Sequence, residues 1–82
     1  MESYTGVILV KKRNTGSRSE GCYAYLVSER MDLIYQLYRK DKFPANDGYL
    51  MSFDRKEVKV LGEVQQETWL MVETIEELRI EN

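Results

Sequence analysis

Apolar and polar side chains alternate along much of this chain with the period of two that marks a strand half-buried in a sheet. Residues 3–12, SYTGVILVKK, are rich in the β-branched residues that suit a pleated surface and read as a first strand. RNTGSRSEG follows with Asn14, Gly16 and small polar residues and reads as a loop. In a second strand, residues 22–29, Cys22, Ala24 and Leu26 fall on one face and Tyr23, Tyr25 and Val27 on the other. RMD makes a tight connection into a third strand, residues 33–39, with Leu33, Tyr35 and Leu37 on one face and Ile34, Gln36 and Tyr38 on the opposite one. In a fourth, residues 57–65, Val58, Val60, Gly62 and Val64 face one way and Lys59, Leu61 and Glu63 the other; a glycine inside such a run predicts a bulge or bend. The turn QET leads to a fifth, residues 69–75, whose Leu70 and Val72 point inward with Val58 and Val60. The tail EELRIEN adds one helical turn or frays from about residue 77.

Two segments need more than alternation. ERMDLIYQLYRK also carries a helical spacing, with Leu33 and Leu37, Ile34 and Tyr38, and Met31 and Tyr35 each four apart. Strand is preferred because a short turn after Glu29 makes a hairpin with the second strand. The long stretch LYRKDKFPANDGYLMSF, residues 37–53, is no strand after Arg39, since Pro44 lacks an N–H for a ladder. Asn46 or Asp47 caps a helical turn over GYLMSF, which gathers Tyr49, Leu50 and Phe53 on one side, with Phe43 packing beneath. The connection is long because it plugs one end of a small barrel whose core five short strands cannot fill alone.

Eighty-two residues make one domain with a small core, and no apolar run approaches the ~20 residues of a membrane-spanning helix. The first apolar run precedes the first basic cluster, the reverse of a secretory signal, so no targeting segment is expected. The single cysteine, Cys22, cannot form an intrachain disulfide, which favours a reducing cytoplasm and a core held by packing. The net charge of −2 argues against indiscriminate binding of nucleic acid. Yet Lys11, Lys12, Arg13 and Arg18 surround one loop and Arg39, Lys40 and Lys42 follow the third strand, while the last third is acidic. A local basic face is therefore compatible with the total.

Three strands, a helical plug and two further strands follow the chain order of an OB-fold. SEGCYAYLVSE, YQLYR, PANDGYLMSF and the hairpin of Val58 to Val64 resemble small bacterial OB-fold-like proteins of no assigned function. The fold class expected is thus mainly β, a five-stranded OB-like barrel with a short helix between strands 3 and 4 and a single domain over residues 1–82. The alternative is an SH3-like barrel, which has no central helix and a short 3₁₀ turn before its last strand.

No histidine is present, which removes the commonest base near neutral pH and every Ser-His or Cys-His arrangement. Cys22 alone makes no zinc site and, on an inward position, reads as a small core residue. Carboxylate pairs such as Glu76 and Glu77 lie on exposed faces, NDG lacks the other ligands of a calcium loop, and NTGSRSEG lacks the Lys-Ser/Thr of a phosphate loop. No catalytic residue, metal or cofactor is expected, and the domain reads as a non-enzymatic binding module without membrane attachment. In OB-folds, ligands lie across strands 2 and 3 between the first and last loops. That implies a site at Lys12, Arg13, Arg18, Tyr23, Tyr25, Tyr38 and Arg39, near the turn at 65–68. Tyrosines beside cations suit single-stranded nucleic acid, whose bases stack and whose phosphates seek charge. Three other readings use the same features: tyrosines that cover the sheet, a protein partner or adaptor role, and a homodimer through an edge strand.

Overall fold

The computed structural model of the chain describes residues 2–18, 20–28 and 33–78. Five strands and one helical turn follow in the order β1 (Glu2–Arg13), β2 (Gly21–Ser28), β3 (Ile34–Arg39), α1 (Gly48–Met51), β4 (Glu57–Gln65) and β5 (Trp69–Glu77). Alternation was the right guide to residues 34–39: they form a strand, not the rival helix. The expected RMD connection and the end of the acidic tail, residues 79–82, lie outside the described residues. Glu76 and Glu77, read as tail, belong to β5.

Each strand has a hydrogen-bonded neighbour on both sides, in the order β1-β2-β3-β5-β4 and back to β1, so the sheet closes on itself. Four pairings are antiparallel; the fifth, β3 with β5, is parallel and sets Gln36, Leu37, Tyr38 and Arg39 beside Trp69, Leu70, Met71 and Val72. Closure lets one face of every strand share a single interior. Ile8 lies beside Leu26, Tyr4 beside Val60, and Leu37 beside Leu70, and these inward positions form the core with Ala24, Val58, Val72, Ile75 and Leu50.

The expected irregularity at Gly62 is present, and its partner strand carries the extra residue. Leu61 stands opposite Thr74 and Gly62 opposite Val72, so Glu73 is skipped. The bulge reverses the parity of β5: Leu70 and Val72 point inward before it, and Ile75 points inward after it. A side chain at position 62 could not be accommodated, since a Cβ there would stand 2.0 Å from the Met71 carbonyl oxygen.

The OB-like barrel with a helical plug is corrected to this description: a closed five-stranded mixed sheet with one short helical turn between β3 and β4. The OB-like name leaned on a connection that seals one end with several aromatics. In the structure Leu50 is the one side chain of that segment at 0% exposure. Phe43 stands 66% exposed and Tyr49 48%, and only Phe53 joins Leu50 against the core, from a partly buried position. The reason is length: α1 has four residues, and one turn presents one side chain along the interior. The SH3-like alternative is not retained either, because β5 follows a plain turn at 66–68.

Replacing Leu50 with Ala should cost about 2–5 kcal/mol, the range for a fully buried leucine. Replacing Phe43 with Ala should change stability by no more than about 0.5 kcal/mol. Urea denaturation of the two variants checks both, and equal losses would restore the multi-aromatic plug.

Candidate binding face

The outward positions of β1, β2, β3 and β5 make one continuous surface. Lys11 lies beside Tyr23, Leu9 beside Tyr25 and Val7 beside Val27. Tyr25 lies beside Gln36 and Val27 beside Ile34, and Gln36 lies beside Trp69. Tyr38 meets Trp69 edge to face, with ring centroids 5.9 Å apart.

Two expected residues differ from their neighbours. Tyr23 and Tyr25 point out of the sheet, as their parity requires, yet are only 5% and 8% exposed. They form a second small cluster with Ala45, a residue of the β3–β4 connection. Arg13 lies over Tyr25, its guanidinium carbon 5.8 Å from the ring centroid, and donates a hydrogen bond to the Tyr25 hydroxyl. The Asn14 side-chain amide donates to the Tyr23 hydroxyl at 3.3 Å. These rings are a covered base for the face and offer no open surface for stacking.

The connection that covers them is fastened at both strands it crosses. Asn46, with φ 60°, donates its backbone N–H to the Cys22 carbonyl at 2.7 Å and accepts the Cys22 N–H on its Oδ1 at 2.9 Å. Gly21 permits the approach, since a Cβ there would stand 2.8 Å from the Asn46 side-chain nitrogen. One residue later, the buried Asp47 carboxylate accepts two hydrogen bonds from Arg39, at 2.8 and 3.0 Å. It also accepts the backbone N–H groups of Tyr49 and Leu50, at 3.0 and 3.3 Å, and so caps α1. Burial acts to raise the Asp47 pKa, but hydrogen bonds from Arg39, Leu50 and Tyr49 outweigh it and hold the carboxyl below its ordinary value. The same pair raises the Arg39 pKa.

Arg39 is thus held by Asp47. It shares the inward parity of Tyr35 and Leu37 and leaves β3 at the open end of the interior, where Asp47 receives it and the Tyr49 ring lies 4.8 Å from its guanidinium carbon. Lys12 likewise has the opposite parity to Arg13 and pairs with Glu20 at 3.1 Å. The Gly16 N–H and Lys12 together hold the Glu20 carboxyl below its ordinary value. Arg18 is exposed in the β1–β2 loop. Of the seven residues expected at a site, the structure brings Arg13, Tyr23, Tyr25 and Tyr38 to one face and turns Lys12 and Arg39 to other partners.

Three open grooves cross that face. One of about 440 Å³ is lined by Tyr38, Lys42, Pro44, Gln65, Gln66 and Trp69. A second of about 360 Å³ shares Pro44 and Trp69 with it and adds Arg13, Asn14, Gln36 and Phe43 above Tyr23. A third of about 280 Å³ shares Arg13 with the second and is otherwise lined by Leu9, Lys11, Tyr25, Val27 and Ile34. Sequence reasoning missed Trp69, Gln36, Phe43 and Pro44, and named Lys42 only as part of a basic run. Parity was signal enough for the first two: Trp69 precedes inward Leu70, and Gln36 precedes inward Leu37, so both point out.

Among the described residues, no group of three or more His, Cys, Asp and Glu side chains is placed to hold a metal ion. Among them, too, no helix is long and apolar enough to cross a membrane. Comparison with protein-family models, with curated proteins and with solved structures finds no match.

Because the Asp47 pKa is depressed on folding, its contribution is fully present above the unfolded carboxylate value and is lost as pH falls through the folded one. Asp47→Asn should therefore be less stable than the parent at pH 7, with the gap closing as the pH is lowered into the acid range. Asp47→Ala should lose at least about 1 kcal/mol at pH 7 from the missing cap alone. Urea midpoints between pH 7 and pH 2.5 check both. A gap that stays constant or widens in acid would show that the charge of Asp47 does not stabilise the fold.

Proposed function

We propose that this is a non-enzymatic binding domain whose outer face on β1, β2, β3 and β5 takes single-stranded nucleic acid. The observation that carries the reading is the Tyr38–Trp69 pair beside Lys42 in the first of these grooves, continued by exposed Phe43 and by Arg13 and Lys11. Ring faces next to cations suit a ligand made of flat bases joined by phosphates, and a base stacked on an aromatic ring contributes about 1–3 kcal/mol. The net charge of −2 is a total over the chain, and Glu73, Glu76 and Glu77 are carried by the later part of β5, beyond the residues paired with β3. A cytoplasmic setting fits the lone thiol of Cys22, which has no disulfide partner.

A protein partner is the second reading, and one observation favours it. Val7 and Ile34 expose apolar side chains on either side of Val27 at one end of the face, with Ile34 at 55%. A homodimer through an edge strand finds less support, since each strand pairs on both sides.

Trp69 is the only tryptophan, so its emission reports directly on the face. Titration with oligo-dT and oligo-U at low salt should quench or shift that emission, and Trp69→Ala, followed by a labelled oligonucleotide, should weaken binding at least tenfold. With Lys42, Arg13 and Lys11 as the phosphate contacts, log affinity should fall against log salt with a slope of about −2, at about 0.7 per phosphate for a single strand. Absence of binding at low salt would remove the nucleic-acid reading and leave the protein partner.

A further inference from the structure

The three grooves stand in a row, and neighbouring grooves share lining residues. Trp69 and Pro44 line both the first and the second, and Arg13 lines both the second and the third. Cations run along the row: Lys42 lines the first groove, Arg13 the second and the third, and Lys11 the third. The row runs across the strands, from the β4–β5 turn at Gln66 over β5, β3 and β2 to Leu9 on β1. Its three parts differ chemically. The first has ring surface from Tyr38 and Trp69. The third has aliphatic walls from Leu9, Val27 and Ile34, with Tyr25 sealed under Arg13.

The middle groove holds Gln36, which sits between Tyr25 and Trp69 at the centre of the face. Its backbone N–H is used by the Thr68 carbonyl at 2.7 Å, whereas its side-chain carboxamide has no hydrogen-bond partner among the described residues. A carboxamide offers both a donor and an acceptor and so can distinguish the edges of different bases.

Resting on the reading that the face takes single-stranded nucleic acid, we infer that the site holds three consecutive nucleotides, one per groove, and that Gln36 selects the base in the middle one. The outer two grooves accept any base, by stacking in the first and apolar contact in the third. The three cations meet the phosphates along the row. Length dependence thus has a built-in limit, and base preference has one position.

The experiment titrates the protein with deoxy- and ribo-oligonucleotides of one to six nucleotides, followed by Trp69 emission at low salt. Affinity should rise about tenfold or more from two nucleotides to three, in line with one further base contact. From three to six it should rise only by the number of registers available. Trimers in which only the central base is varied should differ in affinity by at least fivefold, whereas varying either outer base should change affinity less than twofold. Gln36→Ala should abolish the central preference, and Gln36→Glu, which keeps size but replaces the amide donor, should change which central base is favoured. Thermal midpoints of both variants establish that they are folded, and the second serves should the first fail. A plateau at one or two nucleotides, a rise continuing to six, or an equal loss for all four central bases in Gln36→Glu would overturn the inference while leaving nucleic-acid binding in place. Failure of every oligonucleotide to bind would overturn both.

Discussion

The carboxylate of Asp47 is the point at which the inside and the outside of this molecule are fastened together. It is buried, accepts both of Arg39's parallel N–H groups, and caps the turn that carries Leu50. Charge-assisted, two-pronged bonding of this kind fixes orientation as well as distance. One consequence is internal: Leu50 is set into the end of the core. The other is external: the residues just before Asp47 are drawn over β2, where Asn46 bonds to Cys22 and Ala45 covers Tyr23 and Tyr25. Phe43 and Pro44, carried along by the same segment, become a wall of the grooves. One acidic side chain thus governs both the packing of the interior and the shape of the face.

The sheet supplies the rest by parity. Because it closes, each strand has an inner and an outer set, and the outer set of four neighbouring strands forms a surface with aromatic, polar and cationic positions side by side. The bulge opposite Gly62 lets β5 present Leu70 and Val72 and then Ile75 to the same core. Closure also decides which cations face outward. Arg13 and Lys11 are two apart on one strand and share the face, while Lys12 between them and Arg39 at the end of β3 have the inner parity and find carboxylate partners.

Much of this was legible in the sequence where a period of two dominates. Strand positions, the inward faces of β4 and early β5, the irregularity at Gly62 and Asp47 as a cap could all be read from neighbouring residues. What was not legible depends on segments distant in sequence. Tyr23 and Tyr25 alternate outward like exposed residues, and nothing local says that Ala45, some twenty positions on, will cover them. Arg39 reads as one of a basic run with Lys40 and Lys42, and only its parity with Leu37 separates it from them. Phe43 and Tyr49 look like plug residues by composition, but a turn of four residues has room for Leu50 alone along the interior. Trp69 was legible and overlooked: assigning its strand to the core hid the fact that its first residue points outward.

The most direct test of the fastening is amide hydrogen exchange, residue by residue, in Asp47→Ala against the parent protein. The expected effect is local. The amides of Asn46, Leu50 and Met51, bonded in the parent to the Cys22 carbonyl, the Asp47 carboxylate and the Asp47 carbonyl, should exchange at least tenfold faster, well beyond any change at the β1–β2 ladder amides. Unchanged protection at Asn46 and Leu50, or an equal loss of protection throughout the sheet, would contradict it.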